Sequence, residues 1–223
     1  MVACHLPRSV VLLFGALMSP ASTFRLLRTR SSWVGAATVL AIVQIVLVLL
    51  PAFLGEAPIP VPVVGAVGVI VLLWVFLKWI LSAGVLHSLS LLIGTDSPPR
   101  SFHDALVVIV YSSAIYSLAS IVSAVLGVLR WVIGWTDRFQ FTSILSARTA
   151  FEVFPVTETL SLLAQVNIFS VWYLVVLTIA IARVYFFKVR TAFLLASSVW
   201  FFLLIIQTAT RELLKASIVG HSF

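Results

Sequence analysis

Five long apolar runs divide the chain, covering residues 33–54, 61–93, 105–134, 167–187 and 191–210, with shorter polar stretches between them. Each reaches the ~20 apolar residues that carry an α-helix across a bilayer. Inside hydrocarbon the backbone must satisfy its own hydrogen bonds, so runs of this length read as helices. The pattern predicts an all-α fold: a five-helix transmembrane bundle with an N-terminal interfacial amphipathic helix. It divides into a cytoplasmic or interfacial segment at 1–32, a five-span membrane domain at 33–214 and a short tail at 215–223.

Two runs are longer than a crossing requires. At ~1.5 Å per residue, 61–93 extends about 50 Å against ~30 Å of hydrocarbon. The helices at 61–93 and 105–134 are therefore expected to tilt, kink or project. Between them lies TDSPPRSFHD, residues 95–104. Gly94 ends the first helix, and Pro98 and Pro99 keep the next from starting early. Ser101 is placed to cap that next helix, and Asp104 falls in its first turn, where a negative charge is favoured. Farther on, TSILSARTAFEVF and VTETLSLLAQV, parted by Pro155 within 136–166, read as two short amphipathic helices on the outer surface.

The amino-terminal stretch admits two readings. SVVLLFGALM at 9–18 has the length of a signal-peptide core, with SPA as a cleavage site. Cleavage after Ala21 would leave Arg25, Arg28 and Arg30 outside, beside the first span, against the positive-inside rule. The favoured reading is an interfacial helix with Ser19 as its cap and Pro20 at its first position. Phe24 and Leu27 then face lipid, and Arg25, Arg28 and Arg30 hold the headgroups.

Composition agrees with a membrane setting. The chain is 62% hydrophobic and 9% charged, where soluble domains carry about 25% charged residues. Its net charge is +7, and eleven of the fourteen basic residues are arginine. They are scattered rather than striped, which argues for loops meeting anionic lipid and against nucleic acid. With the N-terminus inside, eight basic residues lie on inner segments (Arg8, Arg25, Arg28, Arg30, Arg100, Arg183, Lys188, Arg190). Five lie on outer ones (Arg130, Arg138, Arg148, Arg211, Lys215). That asymmetry sets the N-terminus in the cytoplasm, and five spans put the C-terminus outside.

Candidate chemistry is sparse. Cys4 is the single cysteine, so there is no internal disulfide and no Cys-based metal site. Four scattered histidines and the absence of GxSxG or a phosphate loop leave no catalytic or cofactor-binding constellation, and no enzyme, cofactor or metal is expected. Lys78 is the clearest charged group inside a span, and a charge there is a functional candidate. The ordinary alternative is that it snorkels to the inner headgroups beside an anchoring Trp79. His87, nine residues on, falls on the opposite helix face and reads as a packed, hydrogen-bonded residue rather than a ligand. In the third span Ser113, Ser117, Ser120, Ala124 and Gly127 form a stripe of small residues. Such a stripe suits internal packing, self-association or a headgroup groove. Ala192 and Ala196 offer a shorter one in the fifth span.

Three segments together resemble the Yip family of small membrane proteins, named for interaction with Ypt/Rab GTPases. LMSPASTFRLLR is similar to the family's opening Pro-x-x-x-Phe, here Pro20 and Phe24. LLIGTDSPPRSFHDALVVIVYSSAIYSL resembles the block joining the second and third spans, through Gly94, Ser101, Phe102, Tyr111, Ser112 and Ala114, with one extra residue between the last two. VNIFSVWYLVVLTIAIARVYFFKVRTAFLLA resembles the Phe-x-x-Trp segment and the basic entry to the last span, through Phe169, Trp172, Arg190 and Ala192. The resemblance implies a helical bundle and, in eukaryotes, vesicle trafficking with Rab-type partners. Only 32 residues precede the first span, and Ala180 stands where the family has Gly. The compact form looks like the prokaryotic branch, where no Rab role follows.

The expected function is a non-enzymatic scaffold or membrane organiser acting through the 94–104 loop, with Arg100, Phe102 and His103 meeting a protein partner. The alternative is lipid handling or small-solute permeation through Lys78 and the stripe of the third span. The expected partners are membrane lipids, a membrane or cytoplasmic protein, and a second copy of the chain. The expected location is a prokaryotic inner membrane, or an ER or Golgi membrane in a eukaryote.

Overall fold

The computed structural model describes residues 8–30, 33–54, 61–93, 101–133 and 167–219. Among them eight α-helices follow in order: α1 (Arg8–Met18), α2 (Pro20–Arg30), α3 (Trp33–Leu54), α4 (Val61–Leu92), α5 (Phe102–Ser112), α6 (Ala114–Ile133), α7 (Ile168–Tyr185) and α8 (Val189–Val219). Four stretches are long and apolar enough to cross a membrane: Gly65–Leu92, Phe102–Leu126, Ile168–Tyr185 and Val189–Ala209. The apolar stretch found in α3, Trp33–Leu47, is shorter. The expected bundle is thus all-helical and multi-span, with four crossing helices by this measure where the hydrophobic pattern predicts five. The outer helices expected within 136–166, the Pro98–Pro99 turn and Gly94 lie outside the described residues.

The two long runs solve their excess length differently. α4 stays unbroken over 32 residues. The third run is interrupted at Ser113, between α5 and α6. Ser113 Oγ donates to Val110 O at 2.7 Å, and Tyr116 N–H reaches back only three residues, to Ser113 O at 3.0 Å. A serine pair whose hydroxyl competes for a helix carbonyl is a recognised cause of such a break.

Ends are set by local chemistry. Ser101 and Asp104 form a reciprocal capping box at the start of α5: Asp104 N–H donates to Ser101 Oγ at 3.3 Å, and Ser101 N–H donates to Asp104 Oδ2 at 3.1 Å. Both residues are where the sequence predicts the cap. Asp104→Ala removes half of the box and is expected to cost about 1 kcal/mol, read as a lower thermal midpoint of the purified protein. Asn167 caps α7, its Oδ1 accepting from Ser170 N at 2.8 Å. α7 and α8 join through a three-residue turn at 186–188 in which Phe186 adopts a left-handed φ of 59°. That conformation costs an L-residue about 1–2 kcal/mol. On either side of it, Tyr185 and Phe187 stack nearly parallel, centroids 5.8 Å apart.

The amino-terminal region departs from expectation. α1 and α2 form a hairpin broken at Ser19, whose carbonyl accepts Thr23 N–H at 3.2 Å and the Thr23 hydroxyl at 3.0 Å. Glycines make the close approaches possible. A Cβ at Gly15 would sit 2.6 Å from Thr23 Oγ1, and one at Gly35 would collide with Ser9 Oγ. α2 lies on α7 and touches α5. Phe24 is 0% exposed and Leu27 1%, so neither faces lipid. The single 11-residue helix is not left alone at an interface, because α7 offers its apolar edge a packed partner. Arg25 does point outward. The side chains of Arg28 and Arg30 lie outside the described residues.

Candidate functional site

Two places bring together residues that the sequence singles out. The first is the junction of α4 and α5. Phe102 opens α5 with 38% of its surface exposed, and the capping box fixes the backbone beneath it. Its ring meets the His87 imidazole edge-on, centroids 6.1 Å apart and planes 78° apart. His103 is exposed beside it. His87 Nδ1 is shut off from solvent and finds no hydrogen-bond partner. His87, half-buried, packs against Phe102 without completing a hydrogen bond at Nδ1. Arg100 and the rest of the 94–100 stretch lie outside the described residues.

The second place lies deeper, among α4, α6, α7 and α8. Lys78 precedes the end of α4 at Leu92 by about 21 Å of helix rise. Its side chain does not run toward that end. Its Nζ lies over the Tyr116 ring, 5.7 Å from the centroid. Trp79 is no interface anchor either: it is 6% exposed and takes an edge contact from Phe76. Behind Tyr116, Tyr173 approaches with centroids 4.6 Å apart at a 36° tilt. Trp200 of α8 faces the Tyr116 phenol, yet its buried Nε1 completes no hydrogen bond. Of the seven acids, Asp104 is the one whose side chain is described, and it is held in the capping box about 18 Å of helix rise from Tyr116.

Magnitudes make Lys78 the less settled residue of the two places. A cation over an aromatic face gains ~0.5–2 kcal/mol. Placing a lysine at the centre of a membrane helix costs ~2.5–3.5 kcal/mol even on the lenient insertion scale. The ring alone leaves a deficit.

The serine stripe of α5 and α6 divides its work. Ser117 is buried and accepts a hydrogen bond at 3.1 Å from Gln44 Nε2 on α3. A cross-helix bond of this kind is worth about 0.6 kcal/mol. Ser113 and Ser120 instead donate to carbonyls of their own chain, Val110 O and Tyr116 O. Ala192 and Ala196 are fully buried within the core, on a face of α8 that also carries Leu195, Val199 and Leu203. They serve internal packing and are closed to a second copy. Among the described residues no three His, Cys, Asp or Glu side chains gather as metal ligands would.

Sequence reasoning alone missed Gln44, Tyr116, Tyr173 and Trp200. Gln44 carried a usable signal, being a polar side chain in mid-span. The three aromatics carried none, since neither periodicity nor spacing says which rings on separate helices meet.

Comparison with curated proteins of known function finds no match. No solved structure matches either. A family model does match: the Yip1 domain, over residues 14–210. That stretch takes in α2 through the crossing part of α8, with both places just described. The chain belongs to the Yip1 domain family of integral membrane proteins.

Proposed function

We propose that this protein is a non-enzymatic membrane scaffold that holds a protein partner at the 94–104 hairpin. In this reading α3 is the fifth span, the N-terminus and the hairpin are cytoplasmic, the C-terminus is outside, and the membrane is a prokaryotic inner membrane. The observation that carries it is the presentation of Phe102. A large ring with 38% of its surface exposed stands on a capped helix start, backed by His87. Exposed aromatics on rigid supports are what interface hot spots are made of. Crosslinking in native membranes, followed by mass spectrometry, tests it. A discrete partner is expected with wild type and is expected to be lost with Arg100→Ala/Phe102→Ala. If every crosslinked protein persists in that variant, the scaffold reading fails.

Lys78 supports a second reading, lipid handling or solute permeation. A lysine turned into the bundle rather than toward headgroups is costly to keep. In liposomes, movement of lipid or solute that stops with Lys78→Leu would favour it over the scaffold.

A further inference from the structure

The turn between α7 and α8 breaks two local rules at once. Phe186 holds a left-handed φ of 59°, a conformation that glycine adopts without steric cost. Its side chain is turned largely outward all the same: 53% of Phe186 is exposed, while Tyr185 and Phe187 beside it are buried. Lys188 immediately precedes α8 and Arg190 lies in its first turn, which holds no acid. A helix start favours negative charge over positive. Both cations are exposed, as is Arg183 in the last turn of α7. Val189, between the two cations of α8, is 68% exposed. From Asn167 to Thr210 the chain has no Asp or Glu, so no carboxylate on either spanning stretch neutralises the three charges. This choice of residues is costly to the fold and suits a contact outside it.

Position identifies the contact. The turn joins two membrane-crossing stretches, Ile168–Tyr185 and Val189–Ala209. It therefore lies at a face of the bilayer, where acyl chains give way to headgroups. An aromatic ring suits that boundary, and cations suit its phosphates. We propose that Arg183, Phe186, Lys188, Val189 and Arg190 form a docking surface for an anionic phospholipid. The ring and Val189 lie against the acyl chains and hold the turn at headgroup depth. The three cations meet the phosphate. The proposal goes beyond both readings of function above and depends on neither.

The test uses the full chain in a neutral detergent, titrated with phosphatidylglycerol and separately with phosphatidylcholine. Bound lipid is counted by native mass spectrometry. Wild type is expected to prefer phosphatidylglycerol. Lys188→Gln/Arg190→Gln is expected to bind phosphatidylglycerol about thirtyfold more weakly, the effect of two basic residues near an anionic surface, and to bind phosphatidylcholine as before. Phe186→Gly is expected to weaken both lipids alike, by about tenfold for a half-exposed ring. Its thermal midpoint should be no lower than that of wild type, because glycine relieves the left-handed strain; the lipid is then lost without loss of fold. Arg8→Gln, at an exposed cation on α1, is expected to keep the wild-type preference. An equal loss in Arg8→Gln would make the attraction diffuse and overturn the site, as would unchanged phosphatidylglycerol binding in both turn variants. Millimolar inorganic phosphate is not expected to displace phosphatidylglycerol, since it brings no acyl chain. Displacement would overturn the lipid assignment in favour of free phosphate. Equal binding of the two lipids, with a polyglutamate peptide bound by wild type and lost in Lys188→Gln/Arg190→Gln, would overturn it in favour of an acidic protein segment.

Discussion

Phe24→Ala is expected to lower the stability of the folded protein by about 3–5 kcal/mol, the range for removing a fully buried phenylalanine ring. Phe24 is 0% exposed and belongs to the common core. It is one of two large apolar residues that seat α2, the other being Leu27. α2 is only 11 residues long, too short to persist in water without tertiary contacts. The loss should therefore appear locally before it appears globally. Trypsin cleavage after the exposed Arg25 should be slow in wild type and fast in Phe24→Ala, with the thermal midpoint also falling. Phe24→Leu fills most of the space and is expected to cost less than half as much. A Phe24→Ala protein with wild-type protease resistance and midpoint would show that α2 is seated by something other than its apolar edge.

Ala196→Leu carries the next largest expected effect. α8 packs more extensively on α7 than on any other helix. Its buried face runs through Ala192, Leu195, Ala196, Val199 and Leu203, at spacings of three and four residues. Small side chains on such a face let helix backbones approach, and packing supplies most of the association energy within a membrane. A leucine at a position with no free surface must push the helices apart or leave its preferred rotamer, at about 1–3 kcal/mol. The reverse face gives the control: Phe193, Leu194 and Phe201 are exposed, and Leu194→Ala should leave the midpoint nearly unchanged. A tolerated Ala196→Leu would mean that α8 can shift against the helices that bury this face. Apolar residues on both faces of α8 look alike in sequence, and only the size contrast between alanine and its neighbours hints at which face is inside.

That contrast marks how far the sequence could be read. Element positions were legible because length and apolarity alone determine them: the runs at 33–54 and 61–93 became α3 and α4 within a residue. The Ser101–Asp104 cap was legible because its chemistry is local. The break at Ser113 was not, since serine is tolerated in many unbroken spans. Phe24 was misassigned for a related reason. An amphipathic helix shows that it has an apolar edge, but not whether lipid or protein covers it. Lys78 was legible as a candidate because it is a charge in an apolar run, while its surroundings, drawn from three other helices, were not. Its neighbour Trp79 was misread as an anchor because tryptophan suits both a headgroup layer and a core.

The seat of α2 also has a consequence for how the protein is made. The helix on which α2 packs most is α7, which leaves the ribosome more than a hundred residues after α2. At ~5–20 residues per second, α2 waits on the order of ten seconds before its partner exists. During that interval it has only its lesser contacts with α1 and α5, the membrane surface or a chaperone to rest on. The amino-terminal hairpin can be among the first parts to emerge and still among the last to reach its final place. A nascent chain stalled before Ile168 should leave the α2 segment open to protease, and one stalled after the whole of α7 has emerged should protect it.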